Sequence, residues 1–372
     1  MIDAFAPNLP FRPKLTMLYN MVQKFIKSLP SKKQPLPVDG VIFVADIIHT
    51  PNSDGDADQF AKRMDLEKTE PHTRDEVMTA LKLSGYEAIH FEHPNQLTDN
   101  TPVSQRHVVL STFGGEQYRS RTSWTPDICE SHGIPFVGLD GYGQAKCHSK
   151  MSAKQLAKQA GLLTPRAREF HEVSDLRHLR DWSFPVVVKP SSEGSSIGVS
   201  ESSIVSSVEE LEHVGTELFR SVGGPIMVEE FVPGREVGFS AIEGPDGTYM
   251  SLNEVAIEGD PGYFETNVWG AHEKFFNLQK RSVVSIDDEL RTEDLEAMGR
   301  LLTALGHFGY IRIDGRLKDG RFHFLEATPD AWLGQGGQMT QGFVNDGWQY
   351  HEVIGAIIET ARSRLPNQAA TG

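Results

Sequence analysis

A β-branched run, Phe184–Lys189, delivers a lysine to a loop of small residues, Ser191–Gly198, within the stretch VVVKPSSEGSSIGV. Small residues let backbone N–H groups approach phosphate oxygens closely, and the ammonium of Lys189 would neutralise their charge. The stretch therefore reads as a lid over phosphates, although an ordinary flexible turn has the same composition. It is neither G-x-x-x-x-G-K-[ST] nor G-x-G-x-x-G, because the lysine precedes the glycines. A second cluster is Glu229-Glu230-Phe231-Val232, with Glu236 beyond Pro233-Gly234. Extended backbone there could read the edge of an adenine, and a carboxylate could accept both ribose hydroxyls. The same acids could equally be solvated charges of an edge strand. The third cluster is Arg312-Ile313-Asp314, followed by Glu326. Two carboxylates aimed at one point suit Mg²⁺, or Mn²⁺, which keeps a few protein oxygens alongside nucleotide phosphates. A surface hairpin with ordinary charges is the alternative.

These residues need elements to hold them. Val38–Ala45 reads as a buried strand, Val77–Ser84 as helix, Ala88–Phe91 and Val108–Thr112 as strands, a polar helix runs to His132, and Ile134–Val137 repeats the strand. That β-α-β rhythm predicts a small open parallel sheet over residues 38–140. The connection Asp46–His72 is long, polar and acidic, and loops of that length usually carry function or are mobile. A basic helix, Lys150–Gly161, opens a new unit and stops at glycine before Thr164-Pro165. Ser207-x-x-Glu210 is a capping box opening a helix to Arg220, and Ile226–Val232 and Glu236–Ile242 are two strands around a turn. Tyr310–Leu317 and Phe322–Glu326 flank Asp319-Gly320 as a hairpin. A three-residue turn, Asp319–Arg321, pairs Asp314 with Glu326 on one face; a two-residue turn sends them to opposite faces. Trp348–Ala361 closes the chain as an amphipathic helix.

The 372 residues exceed one ordinary core, and a composition of 38% hydrophobic and 23% charged residues excludes a disordered or fibrous chain. A net charge of −15 argues against general binding of nucleic acid or anionic lipid, so an anion would need a local cationic site. Cys129 and Cys147 are the only cysteines and have no metal-ligand spacing, which disfavours a disulfide scaffold or a structural zinc. With no apolar stretch of membrane-spanning length and no secretory leader pattern, the cytoplasm is the expected location. Residues 1–37 run against the overall charge: Arg12, Lys14, Lys24, Lys27, Lys32 and Lys33 are opposed only by Asp3. Met17, Leu18, Met21, Val22, Phe25, Ile26 and Leu29 form an amphipathic helical pattern there. It would cover the first unit or a dimer partner, or else serve membrane-surface or targeting contacts.

Taken in order, the three clusters resemble those of the ATP-grasp superfamily, and Lys-Pro-x-x-Glu-Gly-Ser-Ser-x-Gly resembles the wording of its D-alanine–D-alanine ligases. The resemblance runs from about Val38 to Ala361. It implies an α/β fold with α+β lobes: an N-terminal open parallel-sheet domain over 38–149, a central lobe over 150–226 and a C-terminal lobe over 227–366, preceded by the extension 1–37. It further implies that Lys150 and Lys189 hold ATP phosphates and that Glu193, Ser195 and Ser196 belong to the loop over phosphates and substrate, with Ser195 at the reaction. Glu229 would face the adenine amino group, with Glu230, Phe231 and Val232 beside the base and Glu236 on the ribose. Asp314, Glu326 and Thr328 would be magnesium ligands, and Arg312 would stabilise the anionic reaction centre. Such enzymes make an acyl phosphate from a carboxylate and ATP, which an amine then displaces. Small-molecule carboxylate and amine substrates and a homodimer follow from the same resemblance.

Departures concentrate where substrates would sit. The family's Gly-Gly-x-Ser turn with its Glu is replaced by ADIIHTPNSDGDADQ, after which Asp65, Glu67 or Glu70 could supply an acid. The usual Asn is Thr328, the Ser-Pro-Gly segment is Pro329-Asp330-Ala331-Trp332 followed by GQGGQ, and the middle loop, Glu258–Phe276, offers only Lys274 as a phosphate contact or a solvent-facing lysine. The expectation is an ADP-forming carboxylate–amine ligase making an amide or dipeptide for specialised metabolism. Alternatives are a true D-alanine–D-alanine ligase of cell-wall synthesis, a non-catalytic ATP-binding homologue, and a kinase that stops at phosphorylation. His49, His72, His90 and His93 read as surface or packing residues.

Overall fold

The computed structural model describes residues 38–48, 57–99, 103–115, 119–179, 181–244, 253–258, 260–276, 282–286 and 289–365. The basic segment 1–37 and His49 lie outside them.

The first sheet holds β1 (Gly40–Val44), β2 (Ala88–Phe91) and β3 (His107–Ser111), all parallel in the order β2-β1-β3. Of the helices that follow β1, α1 (Ala57–Ala61) packs on Phe275 and Phe276 through Phe60, while α2 (Pro71–Leu83) and α3 (Trp124–His132) cover the sheet. β1 reads as an unbroken apolar run because both of its faces are covered. Val41 and Phe43 pack into one core with Val77 and Leu81 of α2, while Ile42 and Val44 pack into another with Cys129 and Phe136. The expected strand at Ile134–Val137 is reduced to a single bridge, Val109 to Phe136, because the chain turns away after one register pair.

Next come α4 (Gly141–His148) and α5 (Lys150–Ala160). Ser149 caps α5 by accepting from Ser152 N–H, and Gly161 ends it at φ 96°. A four-stranded sheet, in the order β4-β7-β5-β6, then forms from β4 (Ala167–Phe170), β5 (Val186–Pro190), β6 (Ile204–Val205) and β7 (Ile226–Glu230). Its backing helix is α6 (Val208–Ser221), whose N-cap Ser207 accepts from Glu210 N–H at 3.1 Å. Side chains alternate along β5, so Val186 and Val188 bury against Leu211 and Leu218, leaving Val187 and Lys189 for the opposite face.

The third sheet follows the order β10-β9-β8-β11-β12. It contains β8 (Arg235–Ile242), β9 (Asn253–Glu258), β10 (Ser282–Ser285), β11 (Tyr310–Lys318) and β12 (Arg321–Thr328). The two strands expected on either side of Pro233-Gly234 are β7 and β8, and they belong to different sheets. Pro233-Gly234 carries the chain from one sheet to the next, and β8 pairs with β9 and β11 instead. Short helices α7 (Tyr263–Thr266) and α8 (Ala271–Phe276) precede β10, and α9 (Thr292–Leu305) packs with α5 on one face of the sheet. Ala153, Ala157 and Ala160 of α5 and Ala297 of α9 keep that layer thin. Two final helices, α10 (Gln338–Asn345) and α11 (Tyr350–Glu359), return to the first sheet, where Ile354 and Ile357 join Val41 and Val77 in one core. Among the described residues no helix is long and apolar enough to cross a membrane.

Candidate active site

The concave face between the second and third sheets encloses about 890 Å³ of empty space, counting solvent at its mouth. Lys150, Lys189, Lys274, Arg312 and Arg316 line it, together with Glu193, Glu229, Glu236, Asp314 and Glu326. In a chain of net charge −15 the cleft thus gathers five cations, matched by acids including Glu230.

Strand alternation explains how they arrive. Lys189 leaves β5 on the side opposite its core residues, and Glu229 of β7 leaves beside it, opposite Val187 in register. On β11, Ile311 and Ile313 face the helical layer, so Arg312, Asp314 and Arg316 face the cleft. The hairpin between β11 and β12 resolves the register question in an unexpected way. Its turn has two residues, Asp319 and Gly320, both at positive φ (52° and 68°), with Lys318 opposite Arg321. A bulge then inserts Leu325, so the register shifts from Gly315–Phe324 to Asp314–Glu326. The tight turn and the shared face coexist because the bulge adds back the residue that the turn omits. It also sets Thr328 opposite Arg312, and the Thr328 hydroxyl donates to Asp314 Oδ2 at 3.3 Å.

The charges are interlocked. Arg312 donates to both oxygens of Asp314, at 2.6 and 2.9 Å. Lys150, at the start of α5, lies 3.0 Å from Glu326 and donates to the carbonyl of Glu193 at 2.5 Å. Burial alone would push the Glu326 carboxyl up, but Lys150, Lys274 and Lys189 outweigh it and hold it well below the usual carboxylate range. Glu229 is 2% exposed. One of its oxygens accepts from Lys189 at 2.8 Å and the other from Lys154. The two lysines overcome burial and keep it ionised. Glu236 is raised by burial, only partly offset by Arg316 at 3.4 Å and by Lys274.

Several expectations from sequence are sharpened. Lys274 lines the cleft rather than facing solvent, and burial lowers its pKa despite Glu326 and Glu236 nearby. Glu229 spends both oxygens on lysines rather than presenting a free carboxylate. Glu193 lines the cleft, but its carboxylate is held by Arg121 at 2.7 Å. Glu230, Phe231 and Val232 line the cleft as a run. Ser196 lines it too, with its hydroxyl donating to Trp269 O at 3.0 Å, whereas Ser195, at φ 46°, is not among the lining residues. Of the three acids considered after the first strand, Glu67 reaches the Gly/Ser loop, accepting from Gly194 N–H and from Arg121. Asp65 pairs with Arg63, and Glu70 accepts from the indole of Trp332 at 3.1 Å. His90 and His93 are packing residues, the first against Ala45 O and the second against Phe113 and Trp124. Lys154, Arg121 and Arg316 were missed. Only Lys154 had a signal, one helical turn from Lys150 on the same face.

Among the described residues no three His, Cys, Asp or Glu side chains gather as a protein-only metal cage. Asp314, Glu326 and the Thr328 hydroxyl fit instead a hard cation that takes one or two carboxylates and completes its shell with phosphate oxygens and water.

Comparison with known proteins places the chain in a family. Residues 158–359 match the family model described as D-ala D-ala ligase C-terminus. The chain is 27% identical over 226 residues to the D-alanine–D-alanine ligase of Aquifex aeolicus, covering 60% of this chain and 73% of that protein. It is 26% identical over 289 residues to that of Thermotoga petrophila, covering 77% and 90%. The fold is that of the Bacillus anthracis D-alanine–D-alanine ligase complexed with ATP, with a TM-score of 0.64 and 21% identity over 87% of this chain and 98% of that one. The VanG D-Ala:D-Ser ligase of Enterococcus faecalis superposes with a TM-score of 0.62 at 19% identity over 86% and 98%. The chain belongs to the D-alanine–D-alanine ligase family, ATP-grasp enzymes that form a peptide C–N bond with ATP.

Proposed function

We propose that the protein joins two D-alanines, phosphorylating the carboxylate of one with ATP and letting the amine of the other displace phosphate. The observation that carries this reading is the convergence of Lys150, Lys189, Lys274 and Arg312 with Asp314 and Glu326 on one cleft. Phosphoryl transfer needs little covalent help from protein; it needs cations placed around spreading negative charge. Lys150 and Lys189 are assigned to the nucleotide phosphates, Lys274 to the transferred phosphoryl group, and Arg312 to the oxyanion formed when the amine attacks. The run Glu230–Val232 is assigned to the adenine edge and Glu236 to the ribose. Glu229 acts by orienting Lys189 rather than by touching the base. Asp314, Glu326 and Thr328 would hold Mg²⁺, which would supply further neutralisation of phosphate charge. Glu193, Ser195 and Ser196 belong to the lid that keeps water from the acyl phosphate.

Lys189→Ala tests the reading: ADP release with D-alanine should fall by about 10²–10³-fold, while the product of the unaltered protein has the mass of D-alanyl-D-alanine. Normal turnover by Lys189→Ala would remove the phosphate role.

A second reading, in which the amine is not D-alanine and the product belongs to specialised metabolism, is favoured by the segment after Glu326. There Trp332 donates to Glu70 and Thr73, and Gln335 N–H donates to Glu76, closing that side against α2. A panel of amines offered with D-alanine and ATP decides between the two by product mass. Homodimerisation belongs to the proposal as well, and light scattering at a single dimer mass would support it.

A further inference from the structure

The Gly/Ser loop is fastened at both ends. Its rear half is held by backbone bonds, Gly198 N–H to Ala61 O at 2.6 Å and Ala271 N–H to Val199 O at 3.2 Å. Its front half is held by side chains. Arg121, 3% exposed in the turn before α3, points its guanidinium between two carboxylates. It donates through Nε to Glu67 at 3.1 Å, and through Nη2 to Glu67 and to Glu193 at 2.7 Å. The remaining oxygen of Glu67 accepts from Gly194 N–H, and a Cβ at Gly194 would lie 2.6 Å from that oxygen, so glycine permits the approach.

We propose that Arg121 is a positioning residue that latches the Gly/Ser loop to the first sheet's lobe by bridging Glu67 and Glu193, and that this latch keeps water from the activated carboxylate. The inference rests on the ligase reading above. Its basis is placement. Glu193, Ser196, Ile197 and Val199 line the cleft, so a loop that swings away opens the cleft to solvent. The same network continues through Lys150, which bonds Glu193 O and pairs with Glu326. One buried guanidinium therefore ties Glu67 to the acid that faces the reaction centre. Where the latch fails, water replaces the amine as acceptor. The acyl phosphate returns to free carboxylate and phosphate, and ATP is consumed without an amide.

Two readouts test the proposal: hydrogen–deuterium exchange of residues 191–199 without ligand, and the ratio of ADP released to amide formed. Arg121→Met should speed exchange in 191–199 at least ten-fold, leave β8 and β11 unchanged, and raise the ratio two-fold or more above one. Arg121→Lys should restore part of both. Because Arg121→Met strands two buried carboxylates, the triple variant Arg121→Met/Glu67→Gln/Glu193→Gln is the control for folding, and it should still leak. A folded triple variant with unaltered exchange and a ratio of one overturns the latch. If the unaltered protein forms no amide at all, the ligase reading fails, and the exchange measurement still decides whether Arg121 holds the loop.

Discussion

Glu229 lies between Lys154 and Lys189, and the two lysines differ in what their loss should do. Lys189 borders the cleft, whereas Lys154 is 4% exposed and serves only to balance Glu229. Breaking a buried pair by removing one partner costs about 3–5 kcal/mol. Lys154→Met should therefore lower unfolding free energy by about 3 kcal/mol, because Lys189 still holds one oxygen; urea denaturation reads it. A Lys154→Met variant as stable as the parent would contradict the pairing. His148 offers a pH test. Burial first, then Arg121 and Lys150, push its pKa down to about 3, and its Nε2 has no hydrogen-bond partner. Between about pH 6.5 and 3 the unfolded chain binds the proton and the folded one does not, so stability is full above that window and falls as pH drops through it. His148→Gln should flatten the fall in Tm between pH 7 and 4.5, and an identical slope would refute the assignment. At this scale the sequence was legible where motifs speak, as at Lys189 and Asp314. It offered Glu67 only as one of three acids and was silent for Arg121, because the loop both of them hold, at Glu193 and Gly194, is far along the chain and leaves no local pattern.

The hairpin β11–β12 carries the carboxylate pair, and its geometry depends on one glycine beside the bulge. A Cβ at Gly315 would lie 2.4 Å from His323 O and 2.5 Å from the Phe322 ring, contacts that backbone cannot easily yield. Gly315→Ala should cost about 1–3 kcal/mol and displace Asp314 from Glu326. Its activity should then need more Mg²⁺ for half-saturation; an unchanged Mg²⁺ requirement would show that the bulge is incidental. The helices α5 and α6 and their caps were readable because capping chemistry is local. The bulge was not, since an extra residue in one strand is visible only against its partner. Likewise the separation of β7 from β8 depends on which sheet each strand joins, and two apolar runs around Pro-Gly look the same either way.

At the scale of the whole molecule, the first and third sheets are welded by a shared core, while the second keeps a core of its own. Ile242, Tyr310 and Phe343 pack with Val41 and Val77, so the last helices seal the third sheet to the first. The β-α-β rhythm at the start of the chain and the order of the lysine, acid and hairpin clusters were enough to anticipate the architecture. The closing of the substrate side by Trp332 on Glu70 and Thr73 was not, because nothing in the segment Pro329–Gly337 names its distant partner. The central claim is that this assembly transfers phosphate to a carboxylate before an amine arrives. It is tested most directly with D-alanine labelled with ¹⁸O in its carboxylate, ATP and Mg²⁺, followed by mass spectrometry of the products. The account predicts one ¹⁸O in each phosphate released, matched by one dipeptide lacking that oxygen; unlabelled phosphate, or no ADP with any carboxylate and amine, would contradict it.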